Sequence, residues 1–183
     1  MDSFRDEILT LIPKNGVGAE VGVWQGDFSA RILQIAQPSR LHLIDPFESR
    51  NEPQYADAWY GTPRGADMAL IRSRVEQRFA NEITARRVVL HVARSEEVLP
   101  LFAEAQLDFV YIDGDHTYEA VTRDLALSFD ACQRGGLIML DDYLLGRWWG
   151  DGVVRAVHEF LGSHSDACTI VTCEAGQLVL EKR

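Results

Sequence analysis

The sequence predicts an α/β domain with a mostly parallel seven-stranded sheet and helices on both faces. Short apolar runs of strand length alternate with stretches that carry apolar residues at helical spacing, as in strands joined by crossover helices. Three of these runs end in aspartate, at the end of the strand where parallel sheets bind their ligands. The chain of 183 residues has the length of one domain, which we assign to residues 1–183.

Each element is predicted from its own pattern. Seven runs have the length and composition of strands, at 18–23, 40–45, 87–92, 107–113, 136–142, 168–173 and 177–182. Four helical patterns lie between them, at 28–36, 66–80, 117–132 and 152–162. Only Glu174, Ala175 and Gly176 separate the last two strands, so we expect an antiparallel hairpin there.

The composition narrows the set of binding partners. The formal net charge is −10, with 46% hydrophobic and 25% charged residues. This acidic excess argues against a nucleic-acid or anionic-membrane surface, because either would need clustered Lys and Arg. No apolar run reaches membrane-spanning length, and the first residues are too acidic for a secretory leader. The three cysteines fit no metal-ligand spacing, so we expect reduced thiols and a cytoplasmic location.

Residues 46–66 interrupt the alternation of strands and helices. The segment contains prolines, glycines and the aromatic residues Tyr55, Trp59 and Tyr60. A long connection with aromatic residues after a strand is more often a functional lid than a plain linker. The alternative is a packed surface loop whose rings cover the core.

A loop with two glycines follows the first predicted strand, in GAEVGVWQGDFSARIL. Glu20 ends the strand, and Gly22 and Gly26 let the backbone turn sharply and a ligand approach closely before the helix begins. The spacing differs from the G-x-G-x-x-G fingerprint of dinucleotide-binding proteins. Glu20 would repel a pyrophosphate, but it could accept a hydrogen bond from an ammonium group.

Asp45, at the end of the second predicted strand, is placed to bind two ribose hydroxyls. Together with Glu20 it indicates a ligand that has both an amino-acid end and a ribose. S-adenosylmethionine is such a ligand.

These motifs resemble those of the class I S-adenosylmethionine-dependent methyltransferases, which have a Rossmann-like fold. The resemblance is to the small metal-dependent O-methyltransferases related to the macrocin and mycinamicin sugar enzymes. It covers roughly residues 16–160 and depends on EVGVWQG, LIDPF, YIDGDHTYEAVTRDL, GGLIMLDDY and GDGVVRAV, in that order.

The resemblance implies a seven-stranded sheet with an antiparallel last strand and assigns the cofactor site. By this resemblance Glu20 and Gly22 lie near the methionine part, Asp45 holds the ribose and Ser95 lies near the adenine. For Ser95, the alternative is that it caps the helix that begins there.

Acidic residues follow two strands that should be neighbours in the sheet. Asp113 ends one strand, and Asp141 and Asp142 end the next. Three carboxylates at one sheet edge would repel one another without a cation, and oxygen ligands suit Mg²⁺, with Mn²⁺ or Ca²⁺ as other divalent cations. The resemblance implies that Asp113, Asp141 and Asp142 bind the metal, with Asp113 also at the cofactor. The alternative is a set of solvated turn and cap residues.

His116 is the candidate general base, three residues beyond Asp113 in DGDH. It matches a catalytic histidine of the sugar methyltransferases, and an imidazole can accept a hydroxyl proton near neutral pH. Asp115 could orient His116, support the metal or cap the following helix. Trp148 and Trp149 could form an acceptor-side wall or simply cover the core. The remaining histidines are expected to be structural or exposed.

The sequence thus predicts a metal-dependent O-methyltransferase that acts on a hydroxyl of a small molecule, and by resemblance the acceptor is a sugar or a glycosylated natural product. The alternatives are a catechol-like aromatic O-methyltransferase, a nicotinamide-dependent oxidoreductase and a non-catalytic S-adenosylmethionine-binding partner. The sequence has no long N-terminal extension of the kind that many relatives use to cover the site. We therefore expect the 46–66 loop, or a partner subunit of a homo-oligomer, to be the lid.

Overall fold

The seven predicted strands are all present and form one sheet in this computed structural model, which describes residues 4–102 and 106–183. They are β1 (Val17–Val21), β2 (Arg40–Ile44), β3 (Val88–His91), β4 (Leu107–Ile112), β5 (Cys132–Leu140), β6 (Cys168–Glu174) and β7 (Gln177–Lys182). The order across the sheet is β3-β2-β1-β4-β5-β7-β6. The first five strands pair in parallel, and β7 pairs antiparallel with both β5 and β6. The predicted fold class, including the antiparallel last strand, is confirmed.

Helices cover both faces of the sheet. They are α1 (Phe4–Glu7), α2 (Asp27–Ile35), α3 (Met68–Arg78), α4 (Ala80–Thr84), α5 (Ser95–Val98), α6 (Tyr118–Ala131) and α7 (Gly152–Ser163). One apolar core joins the sheet to α2 and α3, and the other joins it to α6 and α7. The four predicted helices correspond to α2, α3, α6 and α7, and their ends differ from the predictions by only a few residues. Short 3-10 turns fill the connections, including Pro53–Tyr55 and Thr62–Arg64 in the 46–66 loop.

Strand β4 lies at the centre of the sheet, as its continuous apolar run predicts. Phe109 and Tyr111 belong to one core, whereas Val110 and Ile112 belong to the other, and all four are almost completely buried. A strand that is buried on both faces needs apolar side chains at every position, so no alternating pattern is seen.

The terminal hairpin forms through a two-residue turn. Ala175 and Gly176 connect β6 to β7, and both have positive φ angles, of 51° and 78°. Two consecutive residues with positive φ are the geometry of the tight hairpin turn whose twist matches that of the flanking strands.

The order of the strands reverses beside β1. The chain places β2 and β3 on one side of β1 and then returns to place β4 on the other side. In open α/β sheets, ligands bind at such a reversal, beyond the carboxyl ends of the strands. No helix within residues 4–102 or 106–183 is long and apolar enough to cross a membrane.

Candidate active site

The carboxyl ends of β1, β4 and β5 are held together by backbone hydrogen bonds. The Asp113 N–H donates to the Val21 carbonyl at 2.8 Å, and the Asp141 N–H donates to the Ile112 carbonyl at 3.0 Å. Gly22 has a φ of 88°, and a Cβ added there would overlap the carbonyl oxygen of Asp113. The glycine loop therefore lies directly against the turn that carries Asp113, the residue predicted to bind both the metal and the cofactor.

Glu20 is a buried carboxyl group in the middle of the sheet. It is 1% exposed, and the Ser29 hydroxyl of α2 donates to it. Burial raises the pKa of Glu20 to about 8, although the Ser29 hydrogen bond and the Arg5 guanidinium oppose the shift. A ligand that brings positive charge to this position would favour the ionised form.

Gly26 also needs to be glycine. It is the N-cap of α2 with a φ of 75°, and a Cβ added there would lie 2.7 Å from the ring of Phe79. The position therefore combines left-handed backbone with close packing, and a side chain would fit neither.

Asp45 connects the glycine loop to the end of β2. One carboxylate oxygen accepts hydrogen bonds from the N–H groups of Val23 and Trp24 at 2.9 and 3.0 Å, and the other accepts from Phe47 at 2.7 Å. Trp24 and Phe47 both have left-handed backbone, with φ of 51° and 50°. Non-glycine residues held in this conformation are uncommon and occur preferentially at functional sites.

Ser95 is the first residue of α5 and not its cap. The N-cap is Arg94, whose N–H is bound by the side chain of Glu97. The Ser95 hydroxyl instead donates to the buried Asp124 of α6, whose pKa is raised to about 6 by burial. The N-cap alternative for Ser95 is therefore wrong, whereas its adenine role remains a prediction.

Three side chains converge beyond the ends of β4 and β5. Asp113, His116 and Asp142 each offer a potential ligand atom, and these atoms lie within 4.8 Å of one another. Nε2 of His116 lies 3.6 Å from Oδ1 of Asp113 and 3.4 Å from Oδ2 of Asp142. This nitrogen is buried and has no hydrogen-bond partner among the described residues. We refer to Asp113, His116 and Asp142 as the acidic cluster.

The electrostatics of the acidic cluster favour the neutral forms of its two carboxyl groups and of its imidazole. Burial raises the pKa of Asp113, an effect that Asp141 increases and Arg5 opposes. The pKa of Asp142 is raised by burial and by Asp141, and the pKa of His116 is lowered by burial against the pull of the carboxylates. A bound cation would reverse the first two effects by favouring the carboxylates in their charged form.

Asp141 lies beside the acidic cluster, but its oxygens already have partners. It forms an ion pair with Arg5 at 2.9 Å, and it accepts hydrogen bonds from Gln177 and from the N–H of Asp142. Asp142 has a φ of 54°, so the chain turns sharply between the two acids. That turn points Asp142 toward His116 and leaves Asp141 on the side of Arg5.

Aromatic rings of the 46–66 loop close one side of the site. Tyr55 is 3% exposed and donates its hydroxyl to Asp115 at 2.6 Å. Asp115 also accepts the N–H of Thr117, the N-cap of α6, at 2.9 Å. Tyr55 and Tyr60 both pack against Trp148, with ring centroids 5.5 and 6.1 Å away. Asp115 thus connects the loop to the start of α6.

Trp148 and Trp149 form a wall beside His116. The Trp149 ring stacks on the imidazole with centroids 4.6 Å apart, and the Trp148 ring meets it edge-on at 6.1 Å. Both tryptophans also line a cavity of about 300 Å³, together with Gln54, Glu119 and Asp151. The wall therefore combines flat apolar surface with polar and acidic groups.

The sequence around this site matches a model of a known protein family. The family model described as a methyltransferase domain matches residues 19–143, which include the glycine loop, Asp45 and the acidic cluster. The chain belongs to this family. The prediction of a methyltransferase is thereby confirmed, against the oxidoreductase alternative, whereas the resemblance to the macrocin- and mycinamicin-related group stays a prediction.

Individual relatives are distant. A protein of Acanthamoeba polyphaga mimivirus, described as uncharacterized protein R132, is 35% identical over 65 residues, which cover 33% of this chain and 29% of that protein. A Corynebacterium glutamicum protein of known structure superimposes with a TM-score of 0.69 at 18% identity, over 99% of this chain and 81% of that one. The O-methyltransferase TomG from Streptomyces achromogenes, solved in complex with SAM, gives a TM-score of 0.66 at 17% identity, over 100% of this chain and 82% of that one. These structures support the fold.

Sequence reasoning did not identify several residues that shape the site. Arg5 and Gln177 bind Asp141, and the hydroxyl of Tyr111 binds both Arg5 and Gln177. Arg5 carries no motif in the sequence. Tyr111 and Gln177 could have been noticed as polar groups in or beside buried strands, since such groups need partners.

Proposed function

We propose that this protein is an S-adenosylmethionine-dependent O-methyltransferase that uses a divalent cation and His116 to activate a hydroxyl of a small molecule. The observation that carries the proposal is the unpartnered, buried Nε2 of His116, which lies between Asp113 and Asp142 at the ligand-binding edge of a methyltransferase domain. A buried polar atom without a partner is costly, so it indicates a ligand or proton that the site normally receives.

The charges of the site fit a divalent cation. Asp113, Asp141 and Asp142 can carry three negative charges, and Arg5 supplies one positive charge through its ion pairs with two of them. A divalent cation would balance the remaining two. Asp113 and Asp142 are the proposed ligands because both belong to the acidic cluster. Asp141 stays in the predicted set, with its contacts to Arg5 and Gln177 as competitors.

The donor set bears on the identity of the metal. Carboxylate oxygens suit Mg²⁺, whereas a site that also used the nitrogen of His116 would suit Mn²⁺ or another transition metal better. We propose Mg²⁺, with His116 kept free to accept a proton. When bound, the cation supplies positive charge that lowers the pKa of a nearby hydroxyl.

The residues of the chain then have separate tasks. His116 is neutral near pH 7 because burial lowers its pKa, so its Nε2 can accept the proton of the acceptor hydroxyl. Stacking on Trp149 fixes the plane of the imidazole. Glu20 and Asp45 hold the amino-acid and ribose ends of S-adenosylmethionine, which supplies a methyl group activated by a sulfonium. Because the sulfonium is already a good leaving group, the protein acts mainly by aligning the two reactants.

The acceptor is proposed to be a sugar or a glycosylated natural product. The tryptophan wall offers a flat apolar face, and Gln54, Glu119 and Asp151 at the adjoining cavity offer hydrogen-bonding groups for hydroxyls. A catechol-like aromatic is the second candidate, favoured by the four rings of Tyr55, Tyr60, Trp148 and Trp149, against which a phenol would pack.

The test is methyl transfer from S-adenosylmethionine to a panel of sugars, glycosides and phenols, with Mg²⁺, with Mn²⁺ or with a chelator. We expect product only with a divalent cation. His116→Gln should lower kcat by about 10²- to 10⁴-fold, since that is the usual contribution of a general base, and leave the affinity for S-adenosylhomocysteine unchanged. The matched control is His158→Gln, a change to an exposed histidine of α7. Full activity in chelator would refute the cation, and a wild-type rate for His116→Gln would refute the base.

A further inference from the structure

Arg5 reaches the centre of the candidate site from outside the matched methyltransferase segment. It belongs to α1, near the start of the chain, whereas the family model begins at residue 19. Its guanidinium forms ion pairs with Asp113 and Asp141, and its Nε donates to the hydroxyl of Tyr111 at 2.8 Å. The guanidinium also stacks over the ring of Phe28, 4.1 Å from the centroid. Packing on rings and binding to two acids hold this side chain in one position.

Arg5 lies on the same face of the sheet as Glu20. Glu20 and Tyr111 are directly paired residues of the parallel strands β1 and β4, so their side chains project from the same face. Arg5 binds Tyr111 and is close enough to Glu20 to lower its pKa. A cation and an acid thus lie on the same face of the sheet, at the end where the methionine part of the cofactor is expected.

The guanidinium has hydrogen-bonding capacity left for a ligand. Nε is bound to Tyr111, and Nη2 is shared by Asp113 and Asp141. Nη1 makes no hydrogen bond or ion pair with residues 4–102 or 106–183. Both N–H groups of Nη1 belong to a charged guanidinium, so Nη1 is suited to donate a charge-assisted hydrogen bond to a carboxylate.

We infer that Arg5 binds the α-carboxylate of the amino-acid end of S-adenosylmethionine, while Glu20 binds the ammonium group. This inference rests on the proposed cofactor. An α-amino acid carries both charges on adjacent atoms, and recognition of both requires a paired anion and cation. Without Arg5, Asp113 and Asp141 would lose the positive charge that pairs with them, and they would repel the carboxylate of the ligand. Arg5 is therefore assigned as the residue that makes an acidic site accept an anionic group.

A series of three ligands separates the charges of the amino-acid end. S-adenosylhomocysteine has both the carboxylate and the ammonium, its decarboxylated analogue has only the ammonium, and 5′-methylthioadenosine has neither. Because charge-assisted hydrogen bonds are the strong ones, we expect wild-type protein to prefer S-adenosylhomocysteine to the decarboxylated analogue by about 10- to 100-fold. In Arg5→Gln that preference should fall to roughly twofold or less, while the affinity for 5′-methylthioadenosine changes little.

The matched control is Asp6→Asn. Asp6 anchors the same segment by a bidentate contact with Arg31, at 2.9 and 2.7 Å, without touching the acidic cluster. Weakening this anchor should leave the preference for the carboxylate unchanged. If Arg5→Gln keeps the wild-type preference for the carboxylated ligand, or if Asp6→Asn abolishes that preference equally, Arg5 does not bind the carboxylate.

The experiment is isothermal titration of each protein with the three ligands, after circular dichroism has established that the variant is folded. If Arg5→Gln does not fold, the inference is tested on wild type by the ratio of its affinities for S-adenosylhomocysteine and the decarboxylated analogue. Equal affinities for these two ligands overturn the inference without any variant. Failure of wild-type protein to bind any of the three ligands would overturn the proposed cofactor itself, and the inference with it. Binding of S-adenosylhomocysteine with no preference for its carboxylate overturns the role of Arg5 alone.

Discussion

Replacing Gly22 with alanine tests whether the glycine loop and the Asp113 turn are packed as the structure shows. The backbone at Gly22 has a φ of 88°, which alanine adopts at a cost of about 1–2 kcal/mol. The new Cβ would also overlap the Asp113 carbonyl, a backbone group that a side-chain rotation cannot move away. Overpacking of this kind costs about 1–3 kcal/mol, so the sum is about 2–5 kcal/mol.

Gly65→Ala is the matched control for backbone strain. Gly65 has a φ of 67°, but nothing lies within 4 Å of the position of its Cβ. This variant should lose only the strain contribution, about 1–2 kcal/mol. The difference between the two variants therefore isolates the contact between the loop and the turn.

The assay is urea unfolding of wild type and both variants, followed by tryptophan fluorescence and by circular dichroism. Gly22→Ala should be less stable than Gly65→Ala by about 1–3 kcal/mol, and it should also bind S-adenosylhomocysteine more weakly because Asp113 must move. Equal unfolding free energies for the two variants would refute the close packing of Gly22 against Asp113.

Three further predictions concern buried groups. His42 and His91 share a hydrogen bond of 2.9 Å, and burial lowers the pKa of His42 to about 4. The unfolded chain therefore binds more protons than the folded protein between about pH 6.5 and 4. As the pH is lowered through that window, the free energy of unfolding should fall by at most about 3 kcal/mol. Urea unfolding at several pH values should show a weaker pH dependence for His42→Asn than for wild type. The same pH dependence of the unfolding free energy in both proteins would contradict the reasoning. Since the pKa of Glu20 is raised to about 8, binding of an ammonium ligand should release a proton and tighten as the pH rises toward 8. Titration calorimetry of S-adenosylhomocysteine in buffers of different ionisation enthalpy measures this proton release. Glu20→Gln should abolish the release. Equal apparent binding enthalpies in all buffers for wild type would refute the prediction. Tyr55→Phe removes the hydrogen bond to Asp115, so the 46–66 loop should become more sensitive to limited proteolysis, at a cost of about 0.5–1.5 kcal/mol in unfolding free energy. A wild-type cleavage rate would show that this bond does not hold the loop.

The elements that the sequence predicted are those with a strong local signal. β4 was identifiable because a strand buried on both faces must be apolar throughout, and the hairpin at Ala175 and Gly176 because a short loop with glycine favours that turn. The glycine loop and the acids at the strand ends were also visible, since a parallel sheet brings the carboxyl ends of its strands to one edge. These features depend on neighbours in the chain or on the regular geometry of the sheet.

The division of the acidic residues depended on contacts that are distant in the chain. Asp141 and Asp142 are adjacent and chemically identical, yet Asp141 binds Arg5 and Gln177, whereas Asp142 lies 3.4 Å from His116. No local pattern distinguishes them. The difference arises from the left-handed turn at Asp142 and from the docking of the N-terminal segment on the sheet.

The sequence by itself therefore determined the fold class, the methyltransferase family and the edge of the sheet where the chemistry is expected. The tertiary structure alone decided the charge environment of that edge: the guanidinium of Arg5 between Asp113 and Asp141, and the unpartnered nitrogen of His116. The physical reason is that these two sets of features depend on interactions over different distances along the chain. Apolar periodicity and turn preferences act between neighbouring residues, whereas pairing and burial of charges depend on which distant side chains the folded chain brings within a few ångströms.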